Sequence, residues 1–348
     1  MFTRAAAFDT DLRQLYHPRA MGQRPARRSF PFLTLLTLLA LTIVGRGCER
    51  ADAPVSPTTT PAAATASTTP TATANVARAT VASLSPAATE ILIGIGAGDR
   101  LVAVSNYDPK RAETKHLPRV GDYQTTDWEQ LAALRPRVMI TQFAVDRLPQ
   151  GLVQKADGLG IQLINVPITR LDDIYAAMRT LARSIEQPEL GASAADELKQ
   201  RIALLRKQSE GRRLVRALIV IDDAGRGVAG RQNYLNDALE AAGGVNVVES
   251  APYPSIDREM LLHHDPEVVF QLLPDASPQV QEAAQQLWRS MPNLQAVRNG
   301  RVHVFTDTWV LRPSHHVGDL AERFAAALND ARAAPSTTAP VATTGRHP

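Results

Sequence analysis

Short apolar, β-branched runs alternate with helical periodicity through the middle of the chain. TVASLS (80–85), RVMIT (137–141) and IQLINV (161–166) read as strands of a first half, and LVRALIVI (214–221), EVVFQL (267–272) and RVHVFT (301–306) as strands of a second. Strands separated by helix-length segments predict α/β layers with mainly parallel sheets. Between the halves, residues 171–186 and 190–210 place apolar side chains at helical spacing, with Leu198, Ile202 and Leu205 on one stripe. The second of these, ~30 Å long at 1.5 Å per residue, is long enough to join two lobes as a rigid strut.

The pattern repeats. DWEQLAALRPRVMI (Asp127 to Ile140) returns as DREMLLHHDPEVVF (Asp257 to Phe270). Each copy has an Asp suited to an N-cap, a Glu at the second helical position (Glu129, Glu259), and a Pro (Pro136, Pro266) that ends the helix before a buried strand. A helix closing on glycine and feeding a strand also occurs twice, in TEILIGIGAGDRLVAV (89–104) and LNDALEAAGGVNVV (235–248). The economical reading is two similar α/β lobes joined by one long helix, with boundaries at 78–187, 188–210 and 211–330.

The ends stand outside this pattern. Residues 1–47 carry seven Arg against two Asp, more than the whole net charge of +3, so the basic balance belongs to the leader and gives no reason to expect a nucleic-acid partner. A basic stretch precedes the uncharged run FPFLTLLTLLALTIV (30–44), which is shorter than the roughly 18 residues of a membrane span and fits an export signal. Cys48 is the sole cysteine, so no intramolecular disulfide can form, and its place just after the apolar run marks it for lipid attachment. The Thr/Pro/Ala-rich stretch 48–77 predicts an extended tether, and 331–348 a disordered tail.

SLSPAATEILIGIGAGDRLVAVSNYD followed by LPRVGDY, together with NYLNDALEAAGGVNVV and WVLRPSHHVGDLAERFAAAL, resembles the helical-backbone (class III) substrate-binding proteins of ABC importers, over about residues 78–330. The resemblance implies two α/β lobes, a linking helix and a ligand cleft between the lobes. It also implies a periplasmic or extracytoplasmic protein with no cofactor of its own, whose ligand is a metal chelate. Cobalamin or a related corrinoid is the first choice; a ferric siderophore or haem stays open, as does a chelate sensor or scavenger without transport. The partner implied is an ABC permease dimer in the inner membrane. In such importers one exposed acid on each lobe docks on permease arginines, and Glu129 and Glu259 occupy the matching positions. Two separated carboxylates can each form a charge-assisted pair with Arg and so fix orientation; the plainer role is to complement the helix dipole.

In parallel α/β lobes a ligand sits beyond the carboxyl ends of the strands. That selects Ser85 and Pro86 after the first strand, Asn106 and Tyr107 after VAVS, Asp122 and Tyr123 in the loop before the repeated helix, and Trp309, Arg312 and His315 after the last strand. Exposed amide hydrogens at 87 and 88, beside Pro86, which has none, suit an anionic or carbonyl group, although Ser85 is equally explained as an N-cap. The resemblance places aromatic ligand contacts at Tyr123 and Trp309; a loop aromatic covering the core is the plainer alternative. Phe143 joins them only if its loop turns inward. Arg312 suits a carboxylate or phosphate on the ligand. His315 and His316 are open between an axial ligand to a bound chelate and helix capping, since relatives of this type commonly carry Gly or Pro followed by Arg there.

Other classes fit less well. A free-zinc carrier needs several histidines, and the first half offers only His116. The G-x-G-x-G spacing of 94–98 ends a helix instead of joining a strand to one, and neither a G-x-S-x-G elbow nor a P-loop sequence is present, so an enzyme is not expected.

Overall fold

The computed structural model describes residues 78–333 except position 123. The leader, Cys48, the tether, the tail beyond 333 and Tyr123 lie outside the described residues.

The first sheet is built from β1 (Val81–Ser83), β2 (Leu101–Ala103), β3 (Val138–Thr141) and β4 (Gln162–Asn165), all parallel, in the order β2-β1-β3-β4. Its helices are α1 (Pro86–Gly94), α2 (Trp128–Leu134), α3 (Gln150–Gly158) and α4 (Leu171–Ser184). Then comes α5 (Pro188–Ser209), 22 residues, entered through a proline at its first turn.

The second sheet contains β5 (Val215–Val220), β6 (Val228–Ala229), β7 (Gly244–Asn246), β8 (Val268–Leu272) and β9 (Val302–Phe305), accompanied by α6 (Tyr234–Ala241), α7 (Arg258–His264), α8 (Pro278–Arg289), α9 (Gln295–Arg298) and α10 (Val317–Ala333). The strands β7, β5, β8 and β9 follow the same parallel order as the first sheet, and the two-residue β6 is added antiparallel to β5.

The repeat is thus structural. Asp127 accepts the Gln130 N–H at 2.9 Å, and Asp257 accepts the Met260 N–H at 2.7 Å. Four residues after each cap a leucine, Leu131 or Leu261, is buried in the core of its own sheet. The helices stop slightly earlier than the prolines suggest. Arg135 and Asp265 each adopt the left-handed conformation (φ 47° and 38°) and close the helix one residue before Pro136 and Pro266, because a residue preceding proline is itself disfavoured in the α region. At the other repeated junction, Gly96 and Gly243 both take φ 81°, and the N–H of Ala97 reaches the Leu92 carbonyl, a left-handed helix stop that glycine adopts without steric penalty.

The linking helix α5 packs on α4 before it and on α6 and α10 after it. Leu198, Ile202 and Leu205 are buried, as the stripe predicted. Close approach is possible because of Gly191: a Cβ there would lie 2.3 Å from the Met178 carbonyl oxygen of α4. A second tight point is Gly318 on α10, where a Cβ would meet Leu198 at 2.8 Å. Among the described residues no helix is long and apolar enough to cross a membrane.

Candidate functional site

Strand order makes the site. In each sheet the chain leaves the central strand (β1, β5) for a neighbour on one side and returns to pair on the other (β3, β8), which leaves a crevice at the carboxyl ends of those two strands. In the first sheet, Ser85 stands at that crevice as the N-cap of α1. Its hydroxyl donates to Gln142 Oε1 at 2.7 Å across the switch point and accepts the Ala88 N–H at 3.2 Å, with Pro86 next at the first helical position. Phe143, half-buried, has its backbone clamped by Asn165, which accepts its N–H (2.8 Å) and donates to its carbonyl (2.9 Å).

Asn106 and Asp122 come together in the loops after β2, and the N–H of the adjoining Tyr107 donates to Ser105 Oγ. The Asn106 amide donates to Asp122 at 3.1 Å, and its backbone N–H reaches the Gly121 carbonyl at 2.7 Å. Asp122 also accepts the N–H groups of Gln124 and Thr125. Burial works to raise its pKa, but these donors outweigh burial and hold the carboxyl below its ordinary range. Asp122 therefore shapes the loop that carries position 123. Arg119 braces the same region by donating to the carbonyls of Ser105 (2.6 Å) and Asp108 (2.7 Å).

Across the crevice, Trp309 follows β9. Its indole lies 4.8 Å from the His316 ring at an interplanar angle of 18°, and the Arg323 guanidinium stands 4.8 Å over the same indole while pairing with Asp307. Arg312 points toward the first lobe. One of its terminal nitrogens is buried without a hydrogen-bond partner among the described residues, and its charge favours the ionised form of Asp108. Asp108 is 5% exposed, accepts the Ser105 N–H (2.9 Å) and the Thr89 hydroxyl (3.2 Å), and has its other oxygen unpartnered. Burial is the dominant influence and pushes its pKa up to about 6.

Sequence reasoning missed the densest polar cluster. Glu90, 2% exposed on α1, is 2.9 Å from Arg111 and 3.2 Å from His316 Nε2; His316 Nδ1 is 2.7 Å from Asp319, which Arg201 of the linking helix contacts at 2.7 Å. Burial alone would raise the Glu90 pKa, but the hydrogen bonds from His316 and Arg111 lower it to about 2. His315 lies against Gly94, its ring 4.0 Å from that of His316, and burial drives its pKa down to about 4. The available signal was an acid in the otherwise apolar helix PAATEILIG; its partners, far off in sequence, gave none. Among the described residues no group of three His, Cys, Asp or Glu side chains is arranged to hold a metal ion.

Glu129 and Glu259 lie at equivalent places, exposed in the first turns of α2 and α7, and among the described residues neither makes an ion pair. Two open hollows, of about 410 and 540 Å³, flank Tyr175 and Arg179 and adjoin Val245 and Asn246; neither includes any residue predicted for the cleft.

The vitamin B12-binding protein of Vibrio cholerae serotype O1 is 28% identical over 246 residues, 70% of this chain and 86% of its own. The crystal structure of the periplasmic vitamin B12 binding protein BtuF of Vibrio cholerae superimposes with a TM-score of 0.62 at 28% identity, covering 74% of this chain and 99% of that one. The periplasmic heme-binding protein RhuT of Roseiflexus sp. RS-1 shares the fold at 21% identity and TM-score 0.61, covering 73% of this chain and 99% of that one. With residues 81–308, both sheets included, matching the family profile described as "Periplasmic binding protein", this chain belongs to that family.

Proposed function

We propose that the protein is the extracytoplasmic receptor of an ABC importer, holding cobalamin or a related corrinoid between its two lobes and delivering it to a membrane permease. The observation that carries this reading is the likeness to a vitamin B12-binding structure at 28% identity, covering 74% of this chain and 99% of that one. The site chemistry is compatible with it. Trp309, half-buried and held by His316 and Arg323, offers the exposed part of its indole as apolar surface, while Asp108 and Arg312 keep an unpartnered acceptor and donor, a combination suited to a large ligand with an apolar body and a neutral polar rim. Ser85, Pro86, Asn106, Tyr107, Asp122, Tyr123 and His315 complete the proposed ligand set.

Glu129 and Glu259 are the proposed permease contacts, residues 1–47 the export leader, and Cys48 the point of lipid attachment to the membrane. Catalysis plays no part in this reading.

Titration of purified protein with cyanocobalamin, ferric siderophores and haemin, followed by tryptophan quenching, tests the ligand. Cyanocobalamin is expected to bind below ~10 μM, stronger than weak nonspecific association. Tighter binding of haemin or a ferric siderophore moves the assignment to that chelate, and no binding by any of the three rejects a chelate receptor.

A further inference from the structure

The His316 imidazole is where three parts of the molecule meet. Nε2 faces Glu90 of the first lobe at 3.2 Å, Nδ1 faces Asp319 of the second at 2.7 Å, and Asp319 is tied to Arg201 of the linking helix. The face of the same ring stacks on Trp309. A neutral imidazole has one N–H and one lone pair, so it would leave a lone pair pointing at one of two carboxylates; only the imidazolium donates to both. Glu90 lies deep in the interface, and one of its oxygens is already unpartnered, so losing the His316 contact would leave a buried carboxylate held by Arg111 alone.

We propose that His316 is a positioning residue of the ligand cleft: as the cation bridging Glu90 and Asp319, it couples the lobes and fixes the indole of Trp309. This rests on the reading of Trp309 as a cleft wall. The link is titratable, and its charged surroundings are mixed. Glu90 on α1 and Asp319 on α10 favour the cation. Arg111 before β3, Arg201 on α5, and Arg312 and Arg323 on the second lobe oppose it, with Asp307 and Glu322 engaging Arg323 and Arg201. The adjacent His315, its pKa driven down to about 4, stays neutral near pH 7. Burial also opposes the cation, yet the two carboxylates prevail and raise the His316 pKa above its ordinary value. The bridge is therefore complete in mild acid and is lost as pH rises through that raised value.

The test uses a ligand-free readout first. A protonated imidazole stacked on an indole quenches its fluorescence, so the emission of Trp309, taken as wild type minus Trp309→Phe, is expected to rise between pH 6 and 9 with a midpoint above ~6.5. Glu90→Gln should move that midpoint down. His316→Gln should abolish the transition, and His316→Arg, which remains charged at all these pH values, should also remove it while restoring the melting temperature that His316→Gln loses. The second readout is cyanocobalamin affinity, expected to weaken roughly tenfold from pH 6 to 9 in the wild type and to stay flat in His316→Arg. A Trp309 transition that persists in His316→Gln, or none in the wild type, overturns the proposal even if cyanocobalamin binds. A transition removed by His316→Gln in a protein that does not bind cyanocobalamin upholds the bridge and rejects only the ligand.

Discussion

Asp108 shows how one buried carboxyl sets a pH dependence. Both of its hydrogen bonds go to one oxygen, and burial drives its pKa from the ordinary carboxylate range to about 6. A raised value means the folded state holds the proton more tightly than the unfolded chain. Its stabilising effect is therefore complete below ~3.9 and falls away as pH climbs to about 6, by on the order of 3 kcal/mol. Asn keeps an oxygen for the Ser105 and Thr89 donors without the charge. Asp108→Asn is thus expected to melt with a smaller temperature change between pH 4 and 7 than the wild type; an unchanged slope in melting scans would reject the assignment. At this scale little was legible beforehand. Ser85 announced itself as a cap because capping is local, whereas Glu90 and His316 depend on lobe docking, which no short-range pattern encodes.

At the level of elements, the twin Asp-x-Glu units separate two jobs performed by neighbouring side chains. The aspartates satisfy orphan N–H groups of α2 and α7, so Asp127→Ala and Asp257→Ala should each cost about 1 kcal/mol. In a domain of this size, calorimetry should record that loss as a fall of about 2–4 °C. The glutamates are exposed and make no ion pair among the described residues, so Glu129→Gln and Glu259→Gln should stay within about 0.5 kcal/mol of the wild type. Equal losses at all four positions would mean that the glutamates are structural. The strands were legible as short, continuous apolar runs, because parallel strands are covered on both faces, and the stripe Leu198-Ile202-Leu205, with its helical period, placed α5 to within two residues at its start. By contrast, β6 consists of two residues held antiparallel to β5 and is too short to leave a periodic trace.

For the whole molecule, two lobes of equal strand order joined by one well-packed helix give a body whose outer contacts need not disturb its cleft. Gly191 and Gly318 press α5 against both lobes, so the geometry between the two exposed glutamates is set by the fold and not by the side chains around them. A permease using paired arginines could read that spacing, and charge reversal is the sharpest probe, since it turns attraction into repulsion without touching a core contact. Glu129→Lys combined with Glu259→Lys is expected to leave chelate affinity unchanged and to abolish uptake into cells or permease proteoliposomes. The single reversals should be unequal. One turn beyond Glu259, α7 exposes Leu262 and His263, where α2 exposes Ala132 and Ala133, so the second lobe has more apolar surface to bury beside its carboxylate and should tolerate loss of the charge better. Glu129→Lys should accordingly impair uptake more than Glu259→Lys, and Leu262→Ala added to the latter should remove the difference. Normal uptake by the double reversal would rule out both glutamates as docking points.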